Sequence, residues 1–169
     1  MDFRRKRIRL SSDNYRGQRS YFLTLCTEGR RNLFSDNERA AWVVARLREC
    51  AAAEAFAVYA YCVMPDHLHT LVYGLKDTCV LSSFVKRFKH LTSFEAKKKY
   101  GLALWQGRFY DHILRRPGED HAVAWYIWMN PVRKGLCARA ADYPHSGSFT
   151  EDWARLARPL EDWQPPWKM

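Results

Sequence analysis

Two β-prone runs lie almost end to end in the middle of the chain, separated only by Pro65 and Asp66. FAVYAYCVM at residues 56–64 and HLHTLVYG at residues 67–74 are short, apolar and rich in β-branched and aromatic residues. A proline–aspartate pair breaks one strand before the next begins. The two runs therefore predict a hairpin around that turn or a bent continuous pair. A chain with such a centre has to supply partners for both strands, and the flanking segments provide them.

SYFLTLCT, residues 20–27, predicts a first strand, and the polar loop EGRRNLFSDNE follows it. Ser35 or Asp36 can cap a helix beginning near Asn37, where Trp42, Val43, Leu47 and Cys50 recur at helical spacing. Residues 80–100 predict a second helix. Leu81, Phe84, Val85, Phe88, Leu91 and Phe94 share one face, while Lys86, Arg87, Lys89, Lys97, Lys98 and Lys99 occupy the other. LWQGRFYDHILR, residues 104–115, alternates as a fourth strand with Gly107 as a bulge. Pro117 marks the start of a third helix, whose first turn carries Glu119 and Asp120 where the dipole favours anions. Pro131 ends or kinks that helix, because the residue before proline disfavours helical geometry. The order β-α-β-β-α-β-α is that of a ferredoxin-like α+β domain: an antiparallel sheet with helices on one face, plus a late helix carrying Tyr126.

The chain has 169 residues, a length suited to one domain, and 47% of them are hydrophobic, enough to build a core. Residues 1–19 hold seven Lys or Arg and little that is apolar, which predicts a basic arm without fixed structure until bound. Residues 20–140 form the domain, and residues 141–169 a Trp-containing tail expected to pack on the domain or on its ligand. The net charge of +10 exceeds what folding needs and points to a polyanion, most commonly nucleic acid. A generally basic soluble protein is the plainer alternative. The five cysteines show no CxxC pair, which argues against a zinc knuckle or a disulfide framework. No apolar run approaches the roughly 20 residues that span a membrane, and the N-terminus does not read as a secretory signal, so a soluble cytoplasmic protein is expected.

Two short segments carry chemistry. In Pro65-Asp66-His67-Leu68-His69, strand alternation places His67 and His69 on one face, where two imidazoles can chelate a divalent metal. In Trp125-Tyr126-Ile127-Trp128-Met129-Asn130-Pro131, Tyr126 and Asn130 lie four apart on a helix and face the same way. A tyrosine hydroxyl can attack phosphorus and become a covalent phosphotyrosine. Either segment alone is more often structural: a satisfied histidine pair, or one of nine tyrosines packed on a sheet.

Taken together and in order, YFLTLCTEGRRNLF, YCVMPDHLHTLVYG, LWQGRFYDHILR and YIWMNPVRKGL resemble the single-tyrosine HUH transposases, and more closely their REP-associated branch, over about residues 20–140. HUH denotes His, a hydrophobic residue and His, here His67-Leu68-His69. The resemblance implies a ferredoxin-like enzyme that cuts and rejoins single-stranded DNA beside a hairpin. It implies Tyr126 as the nucleophile that stays on the 5′ phosphate, and His67 and His69 as ligands of Mg²⁺ or Mn²⁺. Insertion-sequence relatives often carry Gln four residues after the tyrosine as a further ligand. Asn130 stands there, the usual residue of the REP-associated branch, with a shorter reach. Those relatives are dimers that can share the tyrosine helix, whereas this chain is expected to act as a monomer.

DNA contacts are expected from Arg4, Arg5, Lys6, Arg7 and Arg9 on the arm, from Lys86, Arg87 and Lys89 on the second helix, and from Arg108, Arg115 and Arg116 around the fourth strand. Asp66, His112 and His121 are lesser candidates as ligands, Asp66 because a regular strand would turn it to the other face. The competing readings are a nucleic-acid-binding module on the same fold without catalysis, and an HUH nickase of replication or plasmid transfer.

Overall fold

The computed structural model describes residues 12–150. Its strands are β1 (Ser20–Cys26), β2 (Phe56–Met64), β3 (His67–Gly74), β4 (Tyr110–Ile113) and the short β5 (Ser146–Gly147). Its α-helices are α1 (Asn37–Ala53), α2 (Leu81–Tyr100), α3 (Glu119–Trp128) and α4 (Asn130–Arg133). The strands form one antiparallel sheet in the order β4-β1-β3-β2-β5. Asp36 caps α1 by accepting from the Arg39 backbone N–H at 2.9 Å.

Pleating divides the side chains between two cores. On one face Tyr21, Leu23, Leu25, Leu68 and Val72 pack against Val43 and Leu47 of α1 and Phe84 and Phe88 of α2. On the other face Phe22, Ala60, Cys62, Met64 and Leu71 pack against Val123, Ala124, Ile127 and Trp128 of α3. The register of β2 against β3 shifts between Val58 and Ala60. This irregularity inserts Tyr59 and reverses which residues of β2 face the helices: Phe56 and Val58 lie in the first core, Ala60 and Cys62 in the second.

Several expectations shift. The fourth strand is four residues long instead of spanning 104–115. Trp105 makes a single bridge to Thr27 and is buried against Phe34 and Phe88, its indole N–H donating to the Thr92 hydroxyl at 2.8 Å. Lys89 Nζ donates to the carbonyls of Gln106 and Gly107 at 2.7 and 3.1 Å, while the Gln106 N–H donates to the Cys26 carbonyl at 2.9 Å. Phe94 is 61% exposed rather than core, because the buried stripe of α2 continues from Phe88 through Thr92 and Ala96 at a four-residue step.

Part of the segment read as an unfixed arm is also structured. Ser12–Tyr15 form a 3₁₀ turn, Tyr15 stacks on Tyr21, and the Gly17 N–H donates to the Cys79 carbonyl at 2.9 Å. A Cβ on Gly74 would meet the Gly17 carbonyl oxygen at 2.3 Å, so this close approach requires glycine. At the other end β5 extends the sheet, and the Phe149 N–H donates to the Val58 carbonyl at 3.0 Å, so the ordered domain runs past residue 140. No helix among the described residues is long and apolar enough to cross a membrane.

Candidate active site

The β1–β3 register sets Thr24 opposite His69 and Cys26 opposite His67, so these four residues occupy neighbouring positions on the α3 face of the sheet. Both histidines are buried, at 8% and 7% exposure, and their Nε2 atoms lie 3.0 Å apart. Each Nδ1 has its own partner: Asp66 Oδ1 at 2.6 Å for His67 and the Thr24 hydroxyl at 2.8 Å for His69. Arg30 Nε in turn holds Asp66 Oδ2 at 3.0 Å.

These contacts fix the chemistry of the pair. The Asp66 carboxylate can only accept, so His67 carries its proton on Nδ1 and presents a lone pair at Nε2. His69 can then donate from Nε2 to His67 while accepting from Thr24. It can equally shift its proton to Nδ1, donate to Thr24, and free the second Nε2. Burial lowers the pKa of both rings and outweighs the opposing pull of Asp66 on His67; for His69 the positive neighbours His67, Arg133 and Arg30 lower it further. Neutral imidazole is the form that ligates. Two cis ligands about 2.1 Å from one ion lie about 3 Å apart, so the spacing suits a divalent ion. Among the described residues no cluster of three or more His, Cys, Asp and Glu forms.

Tyr126 lies beside His69 of this pair. Its ring lies 6.0 Å from the His69 ring and 6.0 Å from the Phe22 ring, and the Arg133 guanidinium lies 4.1 Å from its centroid. Asn130 begins α4, after the break at Met129 that precedes Pro131. It is buried at 4% exposure, and its amide nitrogen has no hydrogen-bond partner. As oriented, that free atom is a donor; a half-turn of the amide would offer an oxygen instead.

This is an HxH pair with a tyrosine from a late helix on one face of an antiparallel sheet. The family described as Transposase IS200 like matches residues 17–127. The chain belongs to that family. Among its relatives, the REP-associated tyrosine transposase of Escherichia coli K12 is 33% identical over 116 residues, covering 64% of this chain and 62% of the relative. A Haemophilus influenzae protein provisionally given the same name is 30% identical over 119 residues, covering 64% and 66%. The chain thus spans less than two thirds of the length of these curated relatives. In fold it is similar to a solved REP-associated tyrosine transposase bound to a REP hairpin, with a TM-score of 0.70, 24% identity, and 86% and 85% of the two chains covered.

In this member of the family the other sequence-predicted residues scatter. Lys86, Arg87 and Lys89 lie on α2, across the sheet from the histidines. Arg87 pairs with Glu54 at 3.4 Å, and Lys89 is taken up by the two carbonyls described above. Arg108 is exposed two residues before Tyr110, which is paired with Thr24. Arg115 and Arg116 are exposed in the turn before α3, with their backbone N–H groups on the Glu119 carboxylate. His112 pairs with Glu119 and His121 with Tyr59, so neither joins the histidine pair. Arg4, Arg5, Lys6, Arg7 and Arg9, with the tail from residue 151, lie outside the described residues. Three residues that sequence reasoning passed over do border the site: Thr24, Arg30 and Arg133. Strand pairing could have pointed to Thr24, because it follows from the register once β1 and β3 are matched.

Proposed function

We propose that this protein cleaves and rejoins single-stranded DNA beside a hairpin, with Tyr126 as nucleophile and His67 and His69 holding Mg²⁺ or Mn²⁺. The observation that carries this reading is the convergence of Tyr126 on two neutral, buried imidazoles whose Nε2 atoms lie 3.0 Å apart. Tyr126 Oη bonds to phosphorus and releases its proton to solvent. The bond from phosphorus to the 3′ oxygen breaks, and that oxygen leaves as a hydroxyl once protonated. The 5′ phosphate stays on Tyr126, which conserves the phosphodiester energy for rejoining by a 3′ hydroxyl. The ion, when bound, supplies positive charge to the non-bridging oxygens as the transition state forms. Asp66 and Thr24 orient the two imidazoles, and Asn130 is the next candidate ligand or phosphate contact.

The hairpin substrate is proposed from the E. coli relative and from the solved neighbour, and the net charge of +10 supports a polyanionic ligand. We further propose that the protein acts as a monomer in cis, because the Tyr126 ring lies 6.0 Å from the His69 ring of its own chain. The test is a labelled hairpin oligonucleotide with a single-stranded flank. Cleavage is expected in Mn²⁺ but not in chelator, leaving a free 3′ hydroxyl. Equal cleavage in chelator would rule out the metal role. Cleavage restored by mixing Tyr126→Phe and His67→Ala proteins would overturn the cis reading.

A further inference from the structure

Arg133 meets the proposed nucleophile across the break between α3 and α4. Its guanidinium carbon lies 4.1 Å from the Tyr126 ring centroid, and its Nη2 donates to the Tyr126 carbonyl at 3.1 Å. That bond ties α4 back to α3, which ends two residues after Tyr126 at Trp128. Phe22 and His69 also flank the Tyr126 ring, each 6.0 Å away between centroids. Arg133 thus joins an aromatic edge and an imidazole of the proposed metal pair around the ring.

We propose that Arg133 is a positioning residue for Tyr126, locking the ring against Phe22 and His69 in the orientation from which its hydroxyl attacks. The inference rests on the reading of Tyr126 as nucleophile but is separable from it. Arginine suits the task where lysine does not: a flat guanidinium can stack on a ring while its fork donates to a carbonyl, and an ammonium cannot do both. Partial desolvation lowers the Arg133 pKa, and the Tyr126 side chain opposes this through charge and a hydrogen bond. By accessible surface both Arg133 and the neighbouring Lys134 are exposed, so the contact with Tyr126 sits at the edge of the site.

The experiment uses the full chain labelled with 3-fluorotyrosine, the position-126 fluorine signal being identified by its loss in Tyr126→Phe. A single narrow line is expected for the native protein, and a shifted, broadened line for Arg133→Leu, with Arg133→Lys in between. In parallel, single-turnover cleavage of the hairpin oligonucleotide at saturating DNA should slow by about 100-fold in Arg133→Leu, the scale of a misplaced reacting group. Added guanidinium ion should restore part of that rate. If Arg133→Leu does not fold, Arg133→Gln takes its place with the same readouts. An unchanged fluorine line, or a loss of affinity with an unchanged saturated rate, would overturn the proposal and leave Arg133 as a plain phosphate contact. A perturbed line in a protein whose native form makes no adduct would keep the positioning role and sink the nucleophile instead.

Discussion

On one face of the sheet, β1 and β3 turn Leu23, Leu25, Leu68 and Val72 toward α1 and α2, all at most 2% exposed. On the other face the same two strands turn Thr24, His67 and His69 toward α3, and these polar groups satisfy one another. Stability and chemistry are thus interleaved residue by residue, and strand alternation alone separates them. A slip of one residue in the β1–β3 register would turn the imidazoles into the apolar core under α1 and α2 and the leucines toward α3. The opposite face keeps two nitrogens facing each other at 3.0 Å, a spacing an ion can bridge.

The sharpest way to break this contrast is to change neighbouring residues of β3. Removing both imidazoles, His67→Ala with His69→Ala, should reduce single-turnover cleavage by at least about 1000-fold while melting stays close to native in chelator. Leu68→Ala, between them, should lower unfolding free energy by about 2–5 kcal/mol in a denaturant titration and leave Mn²⁺ affinity of the folded protein near native. If Leu68→Ala abolished metal binding at low temperature, or the double histidine variant unfolded, the division of labour would be wrong.

Two smaller effects refine the site face. Thr24→Val removes the partner that lets His69 carry its proton on Nδ1, and should weaken Mn²⁺ binding by about 10- to 100-fold, measured calorimetrically, whereas Thr24→Ser should not. Asn130→Ala should slow cleavage less than either single histidine variant. The smallest effect is on pH. His67 and His69 have folded-state pKa values below the ordinary 6.5, so the unfolded chain takes up protons first as pH falls. Their contribution to stability is therefore complete above pH 6.5 and declines below it toward the lowered folded values. Melting in chelator should show that slope, and the double alanine variant should flatten it. A native slope in that variant would place the titration elsewhere.

Much of this was legible in the sequence for definite reasons. The runs at 56–64 and 67–74 match β2 and β3 because Pro65 leaves no other place for the turn. Asp36 caps α1 as its position before a helical stripe predicts. His67 and His69 share a face because strand periodicity is strict. Other features depend on contacts distant in sequence. The register shift at Tyr59 and the late start of β4 at Tyr110 follow no local pattern, and the Gln106 and Gly107 carbonyls before β4 accept from Lys89, 17 and 18 residues away. Asp66 was ranked low as a ligand by strand alternation, yet it lies in the turn before β3, where alternation does not apply, and its carboxylate reaches His67 Nδ1. Arg133 was invisible because its partner lies across a helix break.

The central claim is that Tyr126 is the residue that becomes bonded to DNA, and peptide mapping tests it most directly. The protein is incubated with the hairpin oligonucleotide and Mn²⁺, digested with nuclease and protease, and the residual nucleotide is located by mass spectrometry. The account requires the nucleotide on the peptide containing Tyr126, linked through its 5′ phosphate, and no adduct from Tyr126→Phe. A normal yield of adduct from Tyr126→Phe, or a nucleotide mapped to Tyr110 or Tyr100, would contradict it.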